Sequence, residues 1–262
     1  MPKEAFGGDD SSGGGDGAKK KPGLSRFGLS PDINIRDVFW KLMTSYADTK
    51  KPGMELSTLE NDRFSLMRAA LSVLSGKQGE QYDLSPGDIA EYSVMMMVDG
   101  HWNDALMSFL VEGAEEQVVR KEMVHALKKL FGIEAYHAAI TEVCSALLRK
   151  QDTTGVALYY IAEVESLDMA KALRKELMII ARGGIGEEQM NAIKAIALIK
   201  NDEDVKRSFM VLLSHWDSQT RLAAAEVLKD MKDDKDVKAA AAKRLPVETD
   251  AKIKAILGSI AQ

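Results

Sequence analysis

The sequence predicts an all-α fold: a right-handed α-solenoid of stacked antiparallel helix pairs, preceded by a disordered N-terminal tail. Three observations predict it. The last third repeats itself, because a shift of 32 positions lays Met190–Lys200 onto Leu222–Lys232 and Asp202–Lys206 onto Asp234–Lys238. A period between about 20 and 50 residues marks an architecture in which each unit completes its core against its neighbours. Apolar residues recur at helical spacing, and no run of alternating β-branched residues bounded by hairpin turns is present, so no sheet is expected. Aspartates at 152, 202, 217, 234 and 250 stand at or beside expected helix starts, where a carboxylate satisfies free amides and meets the positive end of the helix dipole.

Taken in order, residues 1–31 read as a tail, 32–112 as an N-terminal helical region continuous with or capping the solenoid, and 113–262 as repeats. The tail is rich in Gly, Ser and Asp and buries too little apolar area to offset the entropy of ordering. From Asn34, an N-cap, the stripe Ile35, Val38, Phe39, Leu42, Met43, Tyr46 follows helical spacing until Lys50-Lys51-Pro52-Gly53 ends it. A helix from Thr58 to Leu74 stops before Gly76, and Ser85-Pro86 starts another that runs to Val98. Further helices are expected over 102–112, 114–131, 133–150, 154–165, 168–182, 187–200, 203–215, 218–232, 235–245 and 250–261. Gly132, Gly183, Gly184 and Gly186 supply backbone freedom at turns between them. Ala223–Ala225 and Ala239–Ala242 are expected to let neighbouring helices approach closely.

Composition narrows the function. Of 262 residues, 45% are hydrophobic, 29% charged and only 6% aromatic, a balance that suits helices. A net charge of −5 argues against nonspecific attachment of the whole surface to nucleic acid or anionic membrane. Cys144 is the single cysteine, which excludes an intrachain disulfide and a thiolate-rich metal site. Its neighbours at helical spacing make it a buried, inert thiol. The N-terminus lacks the apolar run of a secretory signal and no long apolar stretch exists, so membrane insertion is not expected and the protein reads as cytoplasmic.

Residues 217–228 (Asp-Ser-Gln-Thr-Arg-Leu-Ala-Ala-Ala-Glu-Val-Leu) followed by Asp234-Lys235-Asp236-Val237 resemble the HEAT repeat, in the short variety also found in phycobilisome-lyase-type proteins. Asp217, Arg221 and the alanine-rich first helix carry the resemblance, and residues 250–257 read as a further first helix with Lys254 where the family usually has arginine. The match is good over roughly 187–262, weaker over 114–186 and absent before that. It implies a HEAT/ARM-like solenoid with the second helix of each pair on the concave face. It implies no particular activity.

No reaction centre is legible in the sequence. His101, His125, His137 and His215 are scattered without a second ligand at metal spacing. The repeated His-Glu pairs of HEAT-fold di-iron hydroxylases are missing. Residues 183–186 lack the following Lys-Ser or Lys-Thr of a phosphate loop. His101-Trp102 and His215-Trp216-Asp217 resemble the aromatic and carboxylate pattern of HEAT-like DNA glycosylases. They lie about three repeats apart, however, so Trp216 is expected to pack at the end of its helix and Asp217 to start the next. Met95-Met96-Met97 read as core filling. No catalytic residue, metal site or cofactor is expected.

Charge is sorted by face. The second helices carry Lys171, Arg174, Lys175 and Arg182 against Asp168 and Glu176, then Lys206 and Arg207 with no acid over 205–216, then Lys238, Lys243 and Arg244 with no acid over 237–245. The first helix at 217–233 holds three bases against four acids. The expected partner site is therefore Lys171, Arg174, Lys175, Lys206, Arg207, Lys238, Lys243 and Arg244, facing an acidic or phosphorylated segment of another protein. In the tail, Lys19, Lys20, Lys21 and Arg26 beside Leu24, Phe27 and Leu29 form a candidate docking peptide. The function expected is a non-catalytic interaction scaffold or adaptor subunit. Nucleic-acid binding along the basic face is the alternative, and a lyase-like cofactor chaperone, suggested by the repeat subtype alone, is a weaker one.

Overall fold

A computed structural model of the protein describes residues 63–76, 85–99 and 101–262. The expected tail, its docking residues 19–29 and the helix starting at Asn34 lie outside the described residues. Those described form helices, with no strand among them. The helices are α1 (Arg63–Leu74), α2 (Pro86–Asp99), α3 (Asn103–Ala114), α4 (Gln117–Phe131), α5 (Glu134–Leu148), α6 (Thr154–Val164), α7 (Leu167–Ala172), α8 (Arg174–Gly183), α9 (Gly186–Ala197), α10 (Glu203–Leu212), α11 (Ser218–Lys229), α12 (Lys235–Arg244) and α13 (Ala251–Ala261). A short 3₁₀ turn, Leu245–Val247, links the last two.

The helices stack in pairs as an all-α solenoid. α8 packs on α9, α10 on α11 and α12 on α13. Along the stack α6, α9, α11 and α13 neighbour one another in turn, and α8, α10 and α12 form the parallel row. The N-terminal helices join without a break, since α2 packs against α4 and α3 against α4, α5 and α6. One buried apolar cluster runs from Met67 to Ile260. Within it each helix contributes a stripe, as α10 does with Val205, Phe209 and Leu212. Full burial of such a side chain stabilises by roughly 1.5–3 kcal/mol. Ala224, Ala225 and Ala241 are fully buried at the seams, whereas Ala239 and Ala242 are exposed. Met97 is buried, with Met95 and Met96 packed against the same cluster.

Four of the five aspartates are N-caps. Asp202 accepts from the amides of Asp204 and Val205, and Asp217 from that of Thr220. Asp234 accepts from Asp236 and Val237, and Asp250 from Lys252 and Ile253. Each such cap contributes about 1 kcal/mol. Asp152 is not one of them. Thr153 precedes α6, and its hydroxyl donates to the carbonyl of Leu147 at 2.8 Å instead.

Two further expectations need correction. The single helix expected over 168–182 is divided at Leu173, whose backbone (φ −99°, ψ 13°) leaves the helical region. Nothing in the local propensities breaks it; Leu173 is buried, and packing sets the bend. Gly132 sits at φ −70°, which any residue adopts, so what favours glycine there is not backbone freedom but space: a Cβ would stand 3.0 Å from the carbonyl oxygen of Lys129. Gly186, at φ +61°, does need that freedom.

Candidate partner-binding face

The basic residues expected to share one face divide into two groups one helical step apart. Arg174 at the start of α8 pairs with Asp202, the cap of α10, and lies 3.7 Å from Asp204. Thirty-two positions later Lys206 of α10 pairs at 2.8 Å with Asp234, the cap of α12, and at 2.8 Å with Glu203. Lys206 is only 7% exposed. The hydrogen bonds its ammonium donates to Asp234 and then to Glu203 raise its pKa, while Lys206 and the Val237 amide lower that of Asp234. Asp202 is likewise lowered: burial pushes it upward, but the Val205 amide and Arg174 outweigh that. These two cations join consecutive repeats. They do not present their charge to a partner.

Arg244 is also engaged within the chain. It donates at 3.1–3.2 Å to Glu248, a buried carboxylate that takes both Nε and Nη2 of Arg221 at 2.9 and 3.0 Å. The amides of Thr249 and Asp250 add two more bonds. Arg221 in turn donates to the carbonyls of His215 and Trp216. With Arg221 foremost, these donors pull the Glu248 carboxyl down to about 2. Gln189 extends the network by accepting from Thr220 and donating to the carbonyl of Ala181. The sequence reading missed Glu248 and Gln189 altogether.

The second group faces outward. Lys175 of α8 and Arg207 of α10 are both exposed and 32 positions apart, hence equivalent in adjacent repeats. One turn further along lie Ile179 and Val211, again 32 apart and 72% and 62% exposed. Lys243 occupies the same position on α12. Lys171 is 4.0 Å from Asp168, and Arg207 is 3.8 Å from Asp204, all four side chains well exposed. Such surface pairs hold little. Lys175, half-buried Lys238 and Lys243 form no ion pair with another described residue. An open cleft of about 370 Å³ lies beside this face, lined by Lys171, Arg174, Lys175, Glu176 and Asp202 among others. The face therefore alternates bases with unpartnered aliphatic side chains.

Three of the reactive side chains elsewhere, Cys144, His137 and His215, are engaged structurally. Cys144 is buried, which pushes its thiol up to about 12. His215 accepts from the Asp217 amide and touches Gln189, and His137 meets the carbonyl of Phe131. Among the described residues no group of three His, Cys, Asp or Glu side chains could hold a metal ion. No helix among them is long and apolar enough to cross a membrane. Trp216 departs from expectation. Its ring leans on His215 at 5.4 Å between centroids, yet the residue is 77% exposed and does not pack into its helix end.

No family model matches the chain, and no curated protein does. Among solved structures, it is similar to the crystal structures of two engineered proteins. One is 19% identical with a TM-score of 0.45, covering 87% of this chain and 95% of the other. The second is 16% identical with a TM-score of 0.44, covering 87% and 67%.

Proposed function

We propose that the protein is a non-catalytic scaffold or adaptor of the cytoplasm, docking an acidic or phosphorylated segment of a partner protein along its second helices. The observation that carries this reading is the register of Lys175 with Arg207 and of Ile179 with Val211. Adjacent repeats thus each offer a base and, one turn further, a β-branched aliphatic side chain, a spacing that a partner with acids beside apolar residues can meet twice. The reading narrows the expected site from eight bases to Lys171, Lys175, Arg207, Lys238 and Lys243, because Arg174, Lys206 and Arg244 are consumed by intrachain ion pairs.

The test is fluorescence anisotropy with labelled peptides that mix Glu or phosphoserine with Leu, against the full chain and its Lys175→Glu/Arg207→Glu/Lys243→Glu variant. Binding should weaken at least about tenfold in the variant, with an unchanged melting curve. Equal binding by both proteins removes this face from consideration. Duplex DNA serves as the competing probe: preferential binding with affinity falling steeply against log salt would support the nucleic-acid alternative.

A further inference from the structure

The loops that lead from each second helix into the next first helix carry a feature that meets the basic face only at Lys243. Ile185, Trp216 and Val247 follow one another at intervals of 31 residues, one in each of three successive loops. They are 71%, 77% and 61% exposed. Because α8, α10 and α12 neighbour one another, as do α9, α11 and α13, these loops fall on one edge of the stack. The edge thus bears an apolar ridge, one large side chain per repeat, about 10 Å apart as packed helices are.

The Trp216 loop is held from beneath. Arg221 donates to the carbonyls of both His215 and Trp216 at 3.0 and 2.9 Å, and Glu248 fixes Arg221. The Asp217 amide bonds back to His215 Nδ1 at 3.2 Å. An indole presented on so anchored a backbone loses little freedom on binding. The ridge also separates two banks of charge. On the second-helix side stand exposed Lys243 and exposed Arg182, whose guanidinium also donates to Ser208; on the first-helix side stand exposed Glu187 and Glu188 and the half-buried caps Asp217 and Asp250, while Lys252 beside them is paired with Glu226 at 3.1 Å.

We propose that this edge is a self-complementary interface at which two copies of the chain pair ridge to ridge. A two-fold axis parallel to the ridge lays it on its own copy and sets each basic bank against the partner's acidic bank, as an isologous contact requires. An axis across the ridge would oppose like charges and is disfavoured. A patch three repeats long and two helices wide covers roughly 700 Å², close to the 800 Å² per partner of an ordinary stable interface. The acidic bank argues against an anionic membrane as the occupant.

Sedimentation velocity of the full chain across a dilution series up to about 100 µM tests the proposal, since an interface of this size gives dissociation constants in about the micromolar range or tighter. Dimers are expected. Trp216→Glu should weaken association at least about tenfold, and at dilutions where both proteins are monomeric it should leave the thermal midpoint unmoved, because the indole lies outside the core. Arg182→Glu alone, and Glu187→Lys/Glu188→Lys alone, should each weaken the dimer, and the three changes together should restore it. A monomer throughout, a dimer indifferent to Trp216→Glu, or failure of the combined exchange to restore pairing overturns the proposal. So does a monomer that instead sediments with phosphatidylserine vesicles through Trp216, which would assign the ridge to a lipid surface. Peptide binding at Lys175 and Arg207 does not enter these readouts.

Discussion

The ammonium of Lys206 lies 2.8 Å from Oδ2 of Asp234, while Oδ1 of the same carboxylate caps α12 through the amides of Asp236 and Val237. One side chain thus starts a helix and receives the cation of the preceding repeat. Asp202 divides its oxygens the same way, with Oδ1 on the amides of Asp204 and Val205 and Oδ2 on Arg174. A cap that fixes where a helix begins also fixes how the repeat before it is seated. Sequence periodicity and three-dimensional register meet at this carboxylate.

Charge reversal at neighbouring positions should therefore have opposite consequences. Lys206→Glu sets a carboxylate against Asp234 and Glu203 in a site that is 7% exposed, and the thermal midpoint should fall by several degrees. Arg207→Glu, one residue on, alters an exposed side chain whose ion pair with Asp204 is 3.8 Å long, and the midpoint should not move. Circular dichroism melts of the two variants check this; equal loss in both would dissolve the distinction between seam and surface.

Acid should release the α11–α12 junction over a defined range. The Glu248 carboxyl is pulled from its ordinary 4.5 to about 2, chiefly by Arg221. Its stabilisation is therefore complete above about pH 4.5 and is lost as pH falls toward 2, a change of about 3 kcal/mol. Glu248→Gln leaves Arg221 and Arg244 without their counter-charge and should cost about 3–5 kcal/mol at pH 7. Urea midpoints of the two proteins should converge between pH 4.5 and 2. A gap that stays constant across that range would show that Glu248 carries no depressed titration.

The repeat and its phase are legible in the sequence because the chemistry recurs with the period: Asp202 and Asp234 do the same work 32 residues apart, and a shift of the chain against itself exposes it. The sorting of charge between first and second helices is legible for the same reason. The division within the second helices is not. Arg174 and Lys175 are adjacent letters that a helix turns roughly 100° apart, so one reaches the next repeat and the other meets solvent. Glu248 lies in a connection with no periodic signal, and its partner Arg221 is 27 residues away. The break at Leu173, a buried residue, has no local code either.

Overfilling a seam should cost more than crowding the surface. Ala224 of α11 is fully buried between repeats, so Ala224→Leu inserts three carbons where no space is left and should cost roughly 1–3 kcal/mol. Ala239 of α12 is exposed, and Ala239→Leu should lie within about 0.5 kcal/mol of the parent. Chemical denaturation of both gives the comparison. A neutral Ala224→Leu would mean that the first helices do not approach as closely as described.

The glycines between α8 and α9 look alike in sequence yet should respond differently to alanine. Gly183 closes α8 with nothing within 4 Å of the added methyl, so Gly183→Ala should be neutral or stabilise by up to about 1 kcal/mol through the unfolded chain. Gly184 has an ordinary φ, but a Cβ there would stand 2.6 Å from the carbonyl oxygen of Ile180, and the connection would have to move. Gly186 has open space but sits at φ +61°, so Gly186→Ala should cost about 1 kcal/mol from backbone strain alone. Gly184 is thus held by contact and Gly186 by conformation. Asn separates the two causes, since it tolerates the left-handed region: Gly186→Asn should recover most of the loss at 186, whereas Gly184→Asn should recover none. Urea midpoints of the five variants decide it, and equal rescue at both positions would refute the assignment of different causes.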